Sequence, residues 1–242
     1  MKPTQQGILQ TARFGDGLRI LSLLEQIQVL ARDAFNIQLQ THSEKSLERF
    51  LSLPDAQQLL LESQLQNALS IFCETAAEGS LDSTRETQIR CTRKALWKYG
   101  FFSKHDWENY VETGDVIEIY DFTNTQIYRN LEFLRFCSYD FLEVMTNEWY
   151  VLWDRPERVI DDLKNWVGAV YEAASPVMVK IPEHMMREKG AAQRAFITSF
   201  KWFIPLFKAG QSEPAAFINV MAGCEVDSES AKGIRFLGRA AV

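Results

Sequence analysis

The stretch from Val116 to Met145, VIEIYDFTNTQIYRNLEFLRFCSYDFLEVM, changes the rhythm of the chain. Two short runs of β-branched and aromatic residues, Val116 to Tyr120 and Gln126 to Tyr128, flank the polar turn Phe122-Thr123-Asn124-Thr125, the pattern of a β-hairpin. Everything before it reads as helix, so the fold depends on where this hairpin finds its partners.

Upstream, Asp16 precedes apolar positions at Leu18, Ile20, Leu21, Leu24, Ile27, Leu30 and Ala31, which predicts an amphipathic helix capped by Asp16 and running to about Phe35. A short helix over Glu44 to Leu51 follows. Pro54 breaks it and restarts the chain, because proline suits a helix start and disfavours its interior. The next helix runs from Asp55 to about Ala77, with Leu59, Leu60, Leu65, Leu69 and Phe72 expected on its buried side and Gly79 as its stop. Ser83 to Glu86 has capping-box spacing and opens a helix reaching Gly100. Ser103 to Asp106 offers another start, before Trp107 and Tyr110. Residues 1–114 are thus expected to form a helical region.

Downstream of the hairpin, helical segments are expected at Tyr139 to Met145, around Glu148 to Trp153, and from Pro156 to about Ala173. Strand character returns in RAFITSFKWFIPLF, where Phe196, Thr198, Phe200, Trp202, Ile204 and Leu206 share one face by alternation. Lys208 to Pro214, with Gly210, reads as a loop, and AAFINVMAGCEV as the strand that pairs back. The closing GIRFLGRAAV fits either a further strand or a helical exit. Residues 115–242 therefore form the second expected unit, and the class is α+β.

A hairpin, several short helices and a terminal antiparallel pair make up an order that resembles a PAS domain. Local sequence agrees: Tyr128-Arg129-Asn130 with Phe133 and Phe136, then Ser138-Tyr139 with Glu143, then Phe200 to Pro205, Gly210 and Glu225-Val226-Asp227. The resemblance covers about residues 115–228. Cys137 stands where glycine is more usual, and Asp227-Ser228-Glu229 replaces the usual Asp-Ile-Thr. The family implies an antiparallel sheet with helices on one face enclosing a ligand pocket. On that reading the hairpin starts a sheet that closes only when the 195–226 pair returns to it, and the N-terminal helices are available for its outer side.

Of 242 residues, 46% are apolar and 24% charged, and the net charge of −6 is spread over both halves. That argues against a dominant electrostatic grip on nucleic acid or anionic lipid. No apolar run reaches the roughly 18 residues that span a bilayer, so a cytoplasmic protein without a membrane partner is expected. Four scattered cysteines suggest neither a zinc site nor a disulfide framework. Nucleotide-binding, zinc-protease, serine-hydrolase and EF-hand motifs are absent from the chain, and no catalytic activity is expected.

Candidate ligand-binding residues are Arg129, Trp149, Trp153 and Arg155. The aromatic cluster, with Tyr150 and Trp166, reads either as plain core or as pocket lining. Arg155 is placed to orient an acidic ligand, and Arg129 is the other guanidinium whose neighbours alternate towards a buried face. The cofactor is unknown from sequence: the resemblance offers His184 as a haem ligand, against the reading of a surface histidine. Cys137 reads either as a reactive thiol or as a small buried hydrophobe. Phe14-Gly-Asp-Gly17 is either an anion cradle or a flexible lead-in capped by Asp16.

The expectation for the whole is a cytoplasmic signal-transduction protein that binds a small-molecule ligand or a protein partner. The long apolar stripes at Leu18–Ala31 and Asp55–Phe72 suggest a homodimer that buries them. The alternative is a DNA-binding regulator using the basic segment 84–112 as a helix-turn-helix, for which the competing reading is a solvated face balancing acidic neighbours.

Overall fold

A computed structural model describes residues 5–79, 85–190 and 192–226, with side chains from Gly17 onward. The hairpin turns as its sequence predicts. Asp121 Oδ1 accepts from the amides of Thr123 (2.9 Å) and Thr125 (3.0 Å), and Asn124 adopts φ 62°, a conformation asparagine tolerates.

In chain order the elements are α1 (Gln5–Phe35), α2 (Glu44–Ser52), α3 (Asp55–Ala77), α4 (Arg85–Lys98), β1 (Phe101–Phe102), a 3₁₀ turn (Trp107–Tyr110), β2 (Val116–Asp121) and β3 (Gln126–Arg129). Then come α5 (Leu131–Phe136), α6 (Phe141–Thr146), α7 (Trp149–Leu152), β4 (Trp153–Asp154), α8 (Glu157–Ala173), β5 (Val177–Met178), β6 (His184–Glu188), β7 (Ala195–Lys208) and β8 (Ala216–Val226). The sheet runs β3-β2-β8-β7-β6-β4, with β1 and β5 also on β7, and its pairings are antiparallel. The hairpin and the terminal pair meet as neighbours: β2 lies on β8 from Val116↔Met221 to Asp121↔Ala216.

Alternation assigns the two faces. Val116, Glu118 and Tyr120 share the inner face with Phe217, Asn219 and Met221, below α5, α7 and α8. Ile117, Ile119, Ile204, Ile218 and Val220, all at 0% exposure, share the outer face. The N-terminal region covers that face: Tyr128 and Thr92 bring their hydroxyls to 3.4 Å, and the rings of Tyr110 and Trp202 lie 4.6 Å apart. Helices therefore lie on both sides of the sheet rather than one. A single apolar core runs from Ile20 to Met221 across the boundary expected at 114, and β1, from the helical side, joins the sheet.

Several expectations need correction. α1 begins at Gln5, so residues 14–17 are helical backbone, neither an anion cradle nor a lead-in capped by Asp16. Ser83 of the capping box and the closing GIRFLGRAAV lie outside the described residues. On α3 the expected stripe fails only at its start: Leu59 and Leu60 are 65% and 53% exposed and Leu61 is buried instead, while Leu65 and Phe72 are buried and Leu69 packs against the core. The stripes of α1 and α3 pack on one another, as in the Phe35–Phe72 ring contact at 5.6 Å, so they give no reason for a second copy. On β7 a bulge between Phe200 and Trp202 divides the predicted face. Phe196, Thr198 and Phe200 stay inward, and Trp202, Ile204 and Leu206 turn outward, because one extra residue shifts the side-chain period.

Candidate functional site

Strand register sets a polar row into an apolar face. Glu118 stands opposite Arg129 on β3 and opposite Asn219 on β8, and each of the three is at least nine-tenths buried. The Glu118 carboxylate accepts from Asn219 Nδ2 at 2.6 Å, from the Tyr120 hydroxyl at 3.2 Å and from Gln126 Nε2. Gln126 Oε1 in turn accepts from Arg129 Nε at 2.8 Å, and Arg129 Nη2 donates to the Val144 carbonyl at 3.2 Å. Burial pushes the Glu118 carboxyl above its ordinary range, opposed by the Asn219 hydrogen bond and the nearby guanidiniums.

Above this row is a hollow walled by Trp149, Leu152 and Trp153 on one side, Phe200, Phe203 and Phe217 on the sheet, and Phe133 and Phe136 of α5. With its mouth it encloses about 620 Å³ free of atoms, of which about 50 Å³ is open to the centres of water-sized molecules. Lining that is mostly apolar with a few convergent polar groups is the usual character of a small-molecule site.

Arg155 enters the hollow from the link between β4 and α8, held where Pro156 starts the helix. It is 9% exposed, and its guanidinium lies over the rings of Trp149 (5.2 Å) and Phe200 (5.9 Å). Nη2 donates to the thioether of Met186 at 2.8 Å, a weak acceptor, and Nε has no partner. Burial draws its pKa down to about 10, which leaves it charged at neutral pH. On the facing wall, Asn219 Oδ1 is also buried without a partner. Each such group costs about 1–3 kcal/mol when left dry, so a polar molecule that reaches either of them, water included, is favoured there.

Three of the four sequence candidates, Trp149, Trp153 and Arg155, meet at this hollow. Arg129 does not line it; its Nε and Nη2 donate to Gln126 and Val144, and it supports the polar row from β3. Of the other aromatics, Tyr150 is 40% exposed and Trp166 packs at the core margin, outside the lining. Sequence reading missed Glu118, Tyr120, Gln126 and Asn219. Their signal was a polar side chain inside an apolar strand, Glu118 in VIEIY and Asn219 in AFINV, and it shows only once the register pairs them.

The remaining candidates take the plainer readings. His184 starts β6 rather than sitting on a helix; it is half-buried and stacks on Phe200 but does not itself line the hollow, with Nδ1 3.1 Å from the Pro182 carbonyl and Nε2 3.2 Å from Thr198 Oγ1. Cys137 is buried, and desolvation lifts its thiol far above the range of a reactive thiolate. In the basic segment, Trp107–Tyr110 is one 3₁₀ turn, too short for a recognition helix. Arg93 pairs with Glu108 (2.6 Å), Lys94 with Glu78 and Lys98 with Glu74 (2.7 Å), so these three cations are paired within the chain. Among the described residues no cluster of histidine, cysteine and carboxylate side chains is suited to a metal ion, and no helix is long and apolar enough to cross a membrane. Compared with protein-family models, curated proteins and solved structures, the chain finds no match.

Proposed function

We propose that the latter half of the chain is a PAS-like sensory domain whose hollow binds a small molecule carrying a hydrogen-bond acceptor, and that the protein is a non-catalytic cytoplasmic regulator. The observation that carries this reading is Arg155, a buried cation in an aromatic cavity whose Nε is unpartnered and whose Nη2 rests on sulfur. Closure of the hairpin onto β8 above short helices supports the PAS-like reading.

Occupancy has contacts through which to act. Arg135 Nη2 on α5 donates to the Phe35 carbonyl at the end of α1 (3.0 Å), and Asp140, which caps α6, accepts from the amide of Ser43, the cap of α2 (3.1 Å). A ligand that binds one arrangement of α5 to α7 better than another shifts the population of N-terminal packing states by its differential affinity. The test is to identify what co-purifies with the full chain, by native mass spectrometry and absorbance, and to repeat it with Arg155→Met. A stoichiometric small molecule lost in the variant is the expected result. An empty wild-type protein that no metabolite in a broad panel stabilises would overturn the reading.

A further inference from the structure

The proposed ligand site can be taken one step further, on the premise that the hollow is a binding site at all. Its polar atoms are of opposite kinds. Arg155 Nε is a donor that needs an acceptor, and Asn219 Oδ1 is an acceptor that needs a donor. Asn219 Nδ2 is the end that meets Glu118, at 2.6 Å, which leaves Oδ1 as the end without a partner. About 50 Å³ is open to water-sized centres, which limits an occupant to a small molecule. A guanidinium fork favours a carboxylate over a neutral acceptor. The Glu118 carboxylate on the same wall disfavours a multiply charged anion and favours a monoanion or zwitterion that turns its donor that way.

We infer that the occupant is a small 2-hydroxy or 2-amino carboxylate, with its carboxylate on Arg155, its hydroxyl or ammonium donating to Asn219 Oδ1, and a short alkyl body against Trp149 and Phe200. Arg155 is then the affinity determinant and Asn219 the specificity determinant. A site built to satisfy a donor rejects the analogue lacking it more strongly than an apolar wall rejects a change of size.

The probes are L-lactate, L-alanine, propionate, which lacks the donor, and L-lactamide, which lacks the charge. Each is titrated into the full chain at neutral pH by calorimetry and by saturation-transfer NMR. Saturable binding of lactate or alanine is expected, with propionate and lactamide at least about tenfold weaker. Asn219→Leu should bring the preferred probe down to the level of propionate, while Arg155→Met should abolish binding. Preference for lactate identifies the hydroxy acid, and preference for alanine identifies the ammonium facing Glu118; either supports the inference. It is overturned if propionate or lactamide matches the better of the two, or if no probe saturates by roughly 10 mM, a limit that wild-type data settle without any variant. If mass spectrometry then finds a compound of another class that Arg155→Met loses, only the ligand class has failed. If it finds nothing, the binding-site reading has failed with it.

Discussion

Arg155 is an uncommon investment for a residue without a counter-ion at hydrogen-bond range, and its removal separates structural from functional roles. Because desolvating a lone guanidinium is unfavourable, Arg155→Met should leave the ligand-free protein as stable as wild type or about 1 kcal/mol more stable by urea denaturation. A loss of roughly 3 kcal/mol or more would mean that the guanidinium holds the fold. His184 makes a separate prediction. Its ring is half-buried, stacked 5.9 Å from Phe200, and burial holds its pKa below the ordinary 6.5. As pH falls through 6.5 the unfolded chain takes up a proton that the folded chain resists, so stability drops on acidification. His184→Gln should remove that component of a pH series of denaturation curves; coincident slopes would show that the ring titrates alike in both states. At this scale Arg155 and the tryptophans were legible because a charge beside aromatics stands out locally. Glu118 and Asn219 were not, because what makes them a site is their pairing across 101 residues of chain.

Among elements, β8 and α5 approach more closely than most residues would permit. A Cβ at Gly223 would lie 2.3 Å from Cε2 of Phe136, the ring that packs on Phe196 at 3.8 Å and helps wall the hollow. Gly223→Ala should therefore destabilise by about 1–3 kcal/mol, as overpacking generally does, and Phe136→Leu in the same chain should recover part of that loss. If the two costs add in a double-mutant cycle, the residues are not in the contact described. The bulge in β7 carries a stronger expectation. Deleting Lys201 would remove the extra residue and leave Phe200 inward and Trp202, Ile204 and Leu206 outward by plain alternation, so the variant should keep a cooperative unfolding transition, while one that loses it would place the bulge elsewhere. The hairpin, the terminal pair and α6 to α8 could be read in sequence from turn residues, proline and period. The bulge could not, since from Phe203 to Phe207 both faces are buried and apolar residues follow one another with nothing to mark a change of face.

For the whole molecule, the shared core decides whether the halves are separable. Expressed alone, residues 115–242 would bare Ile117, Ile119, Ile204, Ile218 and Val220, so the fragment should be insoluble or molten where the full chain is not. A fragment with sharp near-UV circular dichroism would show instead that the sheet folds without its helical cover. The sequence marked the helical region and the sheet as different in kind, which they are. It left the N-terminal helices available for the outer side without saying which residues would meet, because an apolar stripe states that it is buried and not what buries it.

The two-sided placement of β3 carries one more implication. Tyr128 points to α4 and the next residue, Arg129, points to the row beneath the hollow, so under the proposed ligand reading the floor of the site and a helix are served by adjacent positions on a single strand. News of an arrival would then need no relay of side chains through the protein. A tilt of one peptide plane, pushed from the wet side, is felt at once on the dry side.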